Sequence, residues 1–496
     1  MLAGMAEPEL VDVIVLGLGV GGEEVAGRLA EAGLTVVGVE RNLVGGECPY
    51  WGCIPSKMMI RAANAIAEAR RVDVLGGAAQ VRPDWAPVAK RIRDEATDGW
   101  DDRVAVRRFT GKGGRFVRGS GRLDGPGRVR VGDQVFQARH GIVLGTGTRP
   151  SVPPVDGLAD TPYWTNREAI EVEELPESLL VLGGGAIGLE LAQVFARFGV
   201  RVTVVEALDR LLAVEEPEAS EVAAAALRAD GVEVHTGVRA ARVDHGADGF
   251  ILRGTDGEEF HADRLLVVTG RRAHLDELGL DTVGVDASRR YLPVDDRLHV
   301  TDDIWAVGDV TGEGAFTHIA MYQASIVVAD VLDHIRRSDG GADPSGTASV
   351  VGGAVGAASS LAVTGSSGSA GSVPRADYRA LPRVTFTDPE IGAVGLTEQQ
   401  ARERGINVQV GFTRLSSSTR GWIHKTDDGG FIKLVADADQ GVLIGATSVG
   451  PAGGEVLSGL VVAVHGAVPL AQLRHMIYAY PTFHRAVSDA LRNLGS

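Results

Sequence analysis

An apolar run leading into a three-glycine turn occurs twice in this chain, and that repeat constrains the fold more than any other feature. Val13-Ile14-Val15-Leu16-Gly17 reappears as Leu179-Leu180-Val181-Leu182-Gly183, 166 positions later. Each run opens a G-x-G-x-x-G pattern: Gly17, Gly19 and Gly22 in the first copy, Gly183, Gly185 and Gly188 in the second. A helical stretch and a second apolar run follow, ending in Glu40 and Glu206, each 23 residues after the first glycine of its own copy. The first glycine permits a tight turn, and the second lets the backbone approach a pyrophosphate at a helix N-terminus. The third allows close helix–strand packing, and the acid accepts from a ribose hydroxyl. One such fingerprint is weak evidence. Two in register, each with its acid, predict an α/β protein with two Rossmann-type βαβ units.

Thr146-Gly147-Thr148-Arg149-Pro150 and Thr269-Gly270-Arg271-Arg272-Ala273 each follow a short apolar run and read as matching strand ends. Ile304 to Val310 is another strand-to-turn, with Gly308 and Asp309 at the turn. Asp309 is placed to hydrogen-bond a ligand; a plain Gly-Asp turn is the alternative. Residues Ser338 to Val373 are almost uncharged and rich in Gly, Ser, Ala and Val, the composition of a tether without a packed core. Beyond Tyr378, strand-like runs (Phe431 to Val435, Leu443 to Val449) alternate with helical ones (Glu455 to Val464, Ala486 to Leu494), an α+β domain.

Both cysteines, Cys48 and Cys53, stand in Gly45-Gly46-Glu47-Cys48-Pro49-Tyr50-Trp51-Gly52-Cys53-Ile54-Pro55-Ser56-Lys57. Two thiols this close suggest a redox disulfide laid against a dinucleotide; two reduced core cysteines are the alternative. Five residues of regular helix rise about 7.5 Å, more than a disulfide comfortably spans. The turn between them is therefore expected to be distorted, with Pro49 and Pro55 favouring it. No further cysteine exists to complete a sulfur-rich zinc site, and no metal site is expected.

A net charge of −16 argues against sequence-independent nucleic-acid binding. No run approaches the roughly 18 to 20 apolar residues of a membrane span, and Met1 to Leu10 lacks the pattern of a signal peptide. A cytoplasmic protein is expected, where a cycling disulfide is more usual than a lasting one.

With its two fingerprints, G-G-x-C-x4-C-I-P-S-K, T-G-x-x-P, A-x-G-D and Phe386-Thr387-Asp388-Pro389-Glu390-Ile391, the chain resembles the class I pyridine nucleotide–disulfide oxidoreductases. That group includes dihydrolipoamide dehydrogenase, glutathione reductase and mercuric reductase. The resemblance implies an FAD domain over residues 1–157 and 291–337, interrupted by an NAD(P) domain over 158–290. A low-complexity insertion over 338–375 and a dimerisation domain over 376–496 follow. It further implies that Gly17, Gly19, Gly22 and Glu40 hold FAD, together with Thr146, Gly147, Gly308 and Asp309 toward its ribityl side. Gly183, Gly185, Gly188, Glu206 and Gly270 would hold NADH, with NADPH possible. By the same resemblance Cys53 faces the flavin, Cys48 exchanges with substrate, and Lys57 pairs with Glu190 beside the flavin.

The sequence departs from this pattern at its end. Family reductases carry H-P-T-x-S-E, whose His is the acid–base and whose Glu orients it; here the stretch is Tyr480-Pro481-Thr482-Phe483-His484-Arg485. A tyrosine, with an ordinary pKa of about 10, matches neutral pH less well than a histidine near 6.5. His484 compensates if Tyr480 to His484 is helical, placing it one turn away; a surface histidine is the alternative. Tyrosine here is similar to mercuric reductases, whose C-terminal cysteine pair is absent. Tyr50 and Trp51 narrow access to the cysteines, offer a stacking surface, or simply pack. The expected activity is that of a homodimeric NAD(P)H oxidoreductase passing hydride through FAD to Cys48–Cys53, and on to a small disulfide, a quinone or a metal ion. A redox-sensing flavoprotein with little turnover is the alternative.

Overall fold

The computed structural model describes residues 7–338, 373–426 and 429–495, so most of the expected insertion lies outside the described residues. The chain divides into two compact units, one from Met1–Cys48, Asp101–Arg149 and Arg272–Asp377, the other from Pro49–Trp100, Pro150–Arg271 and Tyr378–Ser496.

The first unit is built on an eight-stranded sheet. Its main path runs His299–Thr301, Ile304–Ala306, Gln134–Leu144, Glu9–Leu16, Val36–Glu40, Arg115–Arg118. Neighbours along it are parallel except the first pair, and the short strands Gly121–Leu123 and Arg128–Val131 extend Gln134–Leu144 as an antiparallel ribbon. Strands covered on both faces read as unbroken apolar runs, and every residue of Val36–Glu40 is buried. The helices Val20–Glu31 and Thr317–Ser338 pack together over Val13, Val15, Trp305 and Val307. Trp305 is wholly buried and donates its indole N–H to Asp330 at 3.0 Å. Asp330, on the second helix, also pairs with Arg297 and His299, so a buried carboxylate ties helix to sheet.

The second unit holds three sheets. Glu233–Thr236, Arg201–Glu206, Ser178–Leu182 and Arg264–Val267 form a parallel sheet in that order, the second copy of the repeat. An antiparallel ribbon of Ala240–Gly246, Gly249–Gly254 and Glu259–Ala262 follows. Residues beyond Pro382 build the five-stranded antiparallel sheet Pro382–Thr385, Glu390–Gly395, Val442–Gly450, Phe431–Asp437, Val408–Arg414, covered by Gly453–His465 and Arg485–Arg492. Among the described residues no helix is long and apolar enough to cross a membrane.

The glycine turns are closed by backbone packed on backbone. Gly17 has φ +87°, and a Cβ there would lie 2.4 Å from the Gly145 carbonyl oxygen; at Gly22 it would lie 1.9 Å from that of Gly17. The second copy repeats this, with Gly183 against Val268 at 2.6 Å and Gly188 against Gly183 at 2.4 Å. Gly111, at a helix end, faces open space. Gly22→Ala should therefore destabilise the protein by ~1–3 kcal/mol, whereas Gly111→Ala should be neutral or stabilising by ~0.5 kcal/mol. Thermal unfolding checks the pair; equal midpoints would show that the turn relaxes freely.

Candidate active site

The two acids of the repeat are fixed in the same way. Glu40 accepts from the amide of Leu18 at 2.8 Å with one oxygen and from Asn42 at 2.7 Å with the other. Glu206 accepts from Gly184 at 2.5 Å and Leu208 at 2.8 Å. In each copy one bond reaches the residue after the first glycine and the other the residue two beyond the acid. A carboxylate has about four acceptor sites, so each acid keeps capacity for a ribose. Gly19 and Gly185 are the N-caps of twelve-residue helices, Val20–Glu31 and Ala186–Arg197. A Cβ on Gly185 would meet nothing within 4 Å, and one on Gly19 only the Gly145 oxygen at 4.0 Å, so both helix starts leave room for a phosphate.

Further residues in the first unit fit a flavin dinucleotide. Thr148 donates to Asp309 at 2.9 Å, while the Gly308 amide donates to the buried Gln323 at 2.7 Å, fixing the turn that carries Asp309. The Thr146 hydroxyl is buried without a hydrogen-bond partner among the described residues, and Gly147 beside it has open space. A polar ligand meets both conditions. The double glycine before Cys48 has its own reason: Gly45 pairs with Gly19, its amide reaching Leu18 O at 2.7 Å, and a Cβ on Gly46 would lie 2.9 Å from Gly19 Cα. The redox segment therefore starts against the first fingerprint.

Cys48 lies in the short helix Glu47–Trp51 and Cys53 begins the helix Cys53–Arg70. Gly52, with ψ −119°, interrupts the two, which is the distortion expected from the spacing. Cys48 is half-buried and Cys53 exposed. Lys57 stands four residues after Cys53, one turn along the same helix. Its ammonium meets Glu190 at 2.7 Å and sits 4.6 Å over the Phe386 ring, and Glu190 accepts from the Phe386 amide at 2.8 Å. Glu190 is only 7% exposed at its side chain. Gly270, at the end of the second repeat, accepts from the Ser151 amide at 2.8 Å.

Trp51 is packed by the second unit itself. Its indole donates to Glu171 at 2.6 Å, its carbonyl accepts from Asn166 at 2.7 Å, and the Arg167 guanidinium covers its ring at 4.2 Å. Tyr50 is buried. Both aromatics thus serve packing, and the face of Trp51 is taken by an arginine. Glu171, Asn166 and Arg167 were not legible as site residues; the only sequence signal is the Thr165–Glu168 capping box that starts their helix.

The C-terminal residues are arranged differently from the helical turn expected. The last helix begins only at Arg485, with His484 as its N-cap, so Tyr480 and His484 do not stack one turn apart. Tyr480 is 70% exposed and donates to Thr419 at 3.1 Å, whereas the His484 ring lies 6.2 Å from Tyr478. His424, on the helix after Thr419, packs on Phe483 at 4.9 Å. Burial and the Arg420 guanidinium hold it below the ordinary imidazole range, with Glu68 opposing them.

The Trp51–Glu171 bond can be isolated. Trp51→Phe and Glu171→Ala should each destabilise the protein, and the double variant little more than either. A coupling of about 1 kcal/mol is expected; additive losses in denaturant unfolding would show that the bond contributes nothing.

Residues 11–324 match the family model described as pyridine nucleotide-disulphide oxidoreductase, and residues 381–491 its dimerisation domain. The chain is 31% identical over 503 residues to a dihydrolipoyl dehydrogenase of Haloferax volcanii, covering 97% of this chain and 96% of that one. It is 32% identical over 500 residues to a mercuric reductase of Streptomyces lividans, covering 98% and 96%. A solved copper(II) complex of the HOCl-induced flavoprotein disulfide reductase RclA from Escherichia coli matches with TM-score 0.78 and 25% identity, over 98% of this chain and 99% of that one. The dimerisation domain supports a homodimer. Two fingerprints, a paired-cysteine segment and matches along nearly the whole length lead to one conclusion: the chain belongs to the pyridine nucleotide–disulphide oxidoreductase family and is an FAD-dependent enzyme of it.

Proposed function

We propose that this enzyme carries electrons from NADH through Cys48 and Cys53 to small acceptors, and that disulfides are among its slower ones. The observation that carries the reading is the Lys57–Glu190 pair one helical turn from Cys53, an intact redox half, beside a C-terminal half without a His–Glu pair. FAD, held by Gly17, Gly19, Gly22, Glu40, Thr146, Gly147, Gly308 and Asp309, supplies two-electron exchange between nicotinamide and thiols. Gly183, Gly185, Gly188, Glu206 and Gly270 hold the nicotinamide nucleotide. Residues 1–157 and 291–337 would make up the FAD domain and 158–290 the nicotinamide domain.

The thiol chemistry belongs to the chain. Reduction of the Cys48–Cys53 disulfide takes up two electrons and two protons. The Cys48 thiolate then attacks one sulfur of an acceptor disulfide, whose S–S bond breaks, and the leaving thiolate takes one proton. Cys53 attacks the Cys48 sulfur of the mixed disulfide, closing the internal bond and releasing the second thiolate, which takes the other. A thiol at a helix N-terminus is favoured as thiolate, and Cys53 is the first residue of the helix Cys53–Arg70. The protons for the leaving thiolates are the weak point, since Tyr480 and Arg485 stand where a His–Glu pair is usual.

Acceptors that release no thiolate, and so do not depend on that donor, should therefore be preferred. We expect fast NADH-dependent reduction of a quinone such as menadione, and turnover of lipoamide or glutathione disulfide slower by ~10²–10⁴, the usual worth of an acid–base. Tyr480→His combined with Arg485→Glu should raise disulfide turnover and leave quinone reduction nearly unchanged. Rapid wild-type lipoamide turnover would overturn this preference, and Tyr480→Phe and His484→Ala would then identify the donor.

A preference for NADH over NADPH is supported by the surroundings of Glu206. A carboxylate there accepts from the ribose 2′-hydroxyl and repels a 2′-phosphate. Arg210 is committed elsewhere, donating to the carbonyls of Leu212, Ala213 and Glu215 and to Ser220. Arg201 starts the strand that Glu206 ends, about 16 Å away at ordinary strand rise. Neither guanidinium is placed to hold the extra phosphate. Comparison of kcat/KM for the two nucleotides should favour NADH at least tenfold; an NADPH advantage would overturn the assignment.

A further inference from the structure

His274, Asp276 and Glu277 stand in the first unit, and none of the three is assigned to electron transfer above. The His274 side chain is 9% exposed, and both ring nitrogens are buried without a hydrogen-bond partner among the described residues. A buried polar group left unpaired is costly, so such a ring calls for a ligand. Its Nδ1 faces two carboxylates, 3.8 Å from Asp276 Oδ1 and 3.6 Å from Glu277 Oε1. These distances are too long for hydrogen bonds. They are close to the roughly 3.3 Å that separates neighbouring ligands on a tetrahedral ion with bonds of 2.0–2.1 Å. One atom from each residue falls within 4.8 Å of the others.

The backbone under these side chains is rigid. Ala273, Leu275 and Leu278 are buried in the core, and Leu278 O accepts from the Leu123 amide at 2.9 Å. Asp276 and Glu277 are 74% and 56% exposed at their side chains, so the site opens to solvent on the side away from His274. Arg41 takes the other oxygen of Glu277 at 3.1 Å, leaving Oε1 toward the imidazole. Its guanidinium orients that carboxylate and also lowers the negative charge offered.

We infer that His274, Asp276 and Glu277 form a divalent-cation site of mixed nitrogen and oxygen donors, taking Zn²⁺ or a similar borderline ion through His274 Nδ1 and one oxygen of each carboxylate. Imidazole with carboxylates suits zinc, whereas an all-oxygen set would suit calcium or magnesium. Water completes the shell from the open side.

The test is calorimetric titration of Zn²⁺ into the oxidised, FAD-loaded protein, whose Cys48 and Cys53 are then not thiolates. One equivalent per chain is expected, and His274→Gln should weaken it at least about tenfold, since even an outer-shell partner is worth 10–100-fold. His274 is buried, so a second variant, Asp276→Asn with Glu277→Gln, changes only exposed side chains and should weaken binding as much. The proposal is overturned by absence of binding at millimolar Zn²⁺ or by wild-type affinity in the carboxylate variant. Weakening by the carboxylate change with none by His274→Gln also overturns it, as that would be diffuse acidic attraction.

Discussion

A buried carboxylate organises the second unit. Glu190 sits in the helix Ala186–Arg197 with almost no exposure, and an uncompensated buried charge costs several kcal/mol, so partners must come to it. Lys57 and the Phe386 amide do so, from segments 133 residues before and 196 after. Gln193 and Arg197 lie on the same helix face, three and seven residues on. Gln193 exchanges two bonds with the Asp388 backbone, and Arg197 reaches Asn64, Asp230 and Asp388. One polar helix face thereby registers the Cys53 helix and the start of the last sheet against the nucleotide fold. The Phe386 to Ile391 motif is the complementary half of that junction.

The glycine fingerprints show how one local solution serves two sites. In both copies the acid at the end of the second strand is clamped by an amide of its own glycine loop, so loop and acid form one rigid part. The difference lies in what packs beside it. Gly45 and Gly46 press on the first fingerprint, which brings the start of the cysteine segment to that copy.

At its C-terminal end the chain carries Tyr480 and Arg485 in place of the histidine and glutamate of the motif it resembles. Tyr480 is exposed and bonded to Thr419, while Arg485 is turned to Asp489 at 3.3 Å. The redox half is intact, since the cysteine segment, Lys57 and Glu190 remain.

Much of this was legible in the sequence, because it rests on local rules. The βαβ units follow from glycines that must avoid a Cβ and from acids at a set distance. The broken helix between Cys48 and Cys53 follows from the reach of a disulfide. The Lys57–Glu190 pair came only through family resemblance, since nothing local joins residues so far apart. What only the tertiary structure decided involves side chains meeting across long separations. Trp51 was open to three readings until Asn166, Arg167 and Glu171 enclosed it, and Tyr480 and His484 lost their helical relation because the helix starts at Arg485. His274 carried no signal at all: its burial beside two carboxylates depends on how Leu275 and Leu278 anchor the chain in the core. Backbone constraints act over a few residues and can be read in order; the pairing of buried charges depends on which segments the core brings together.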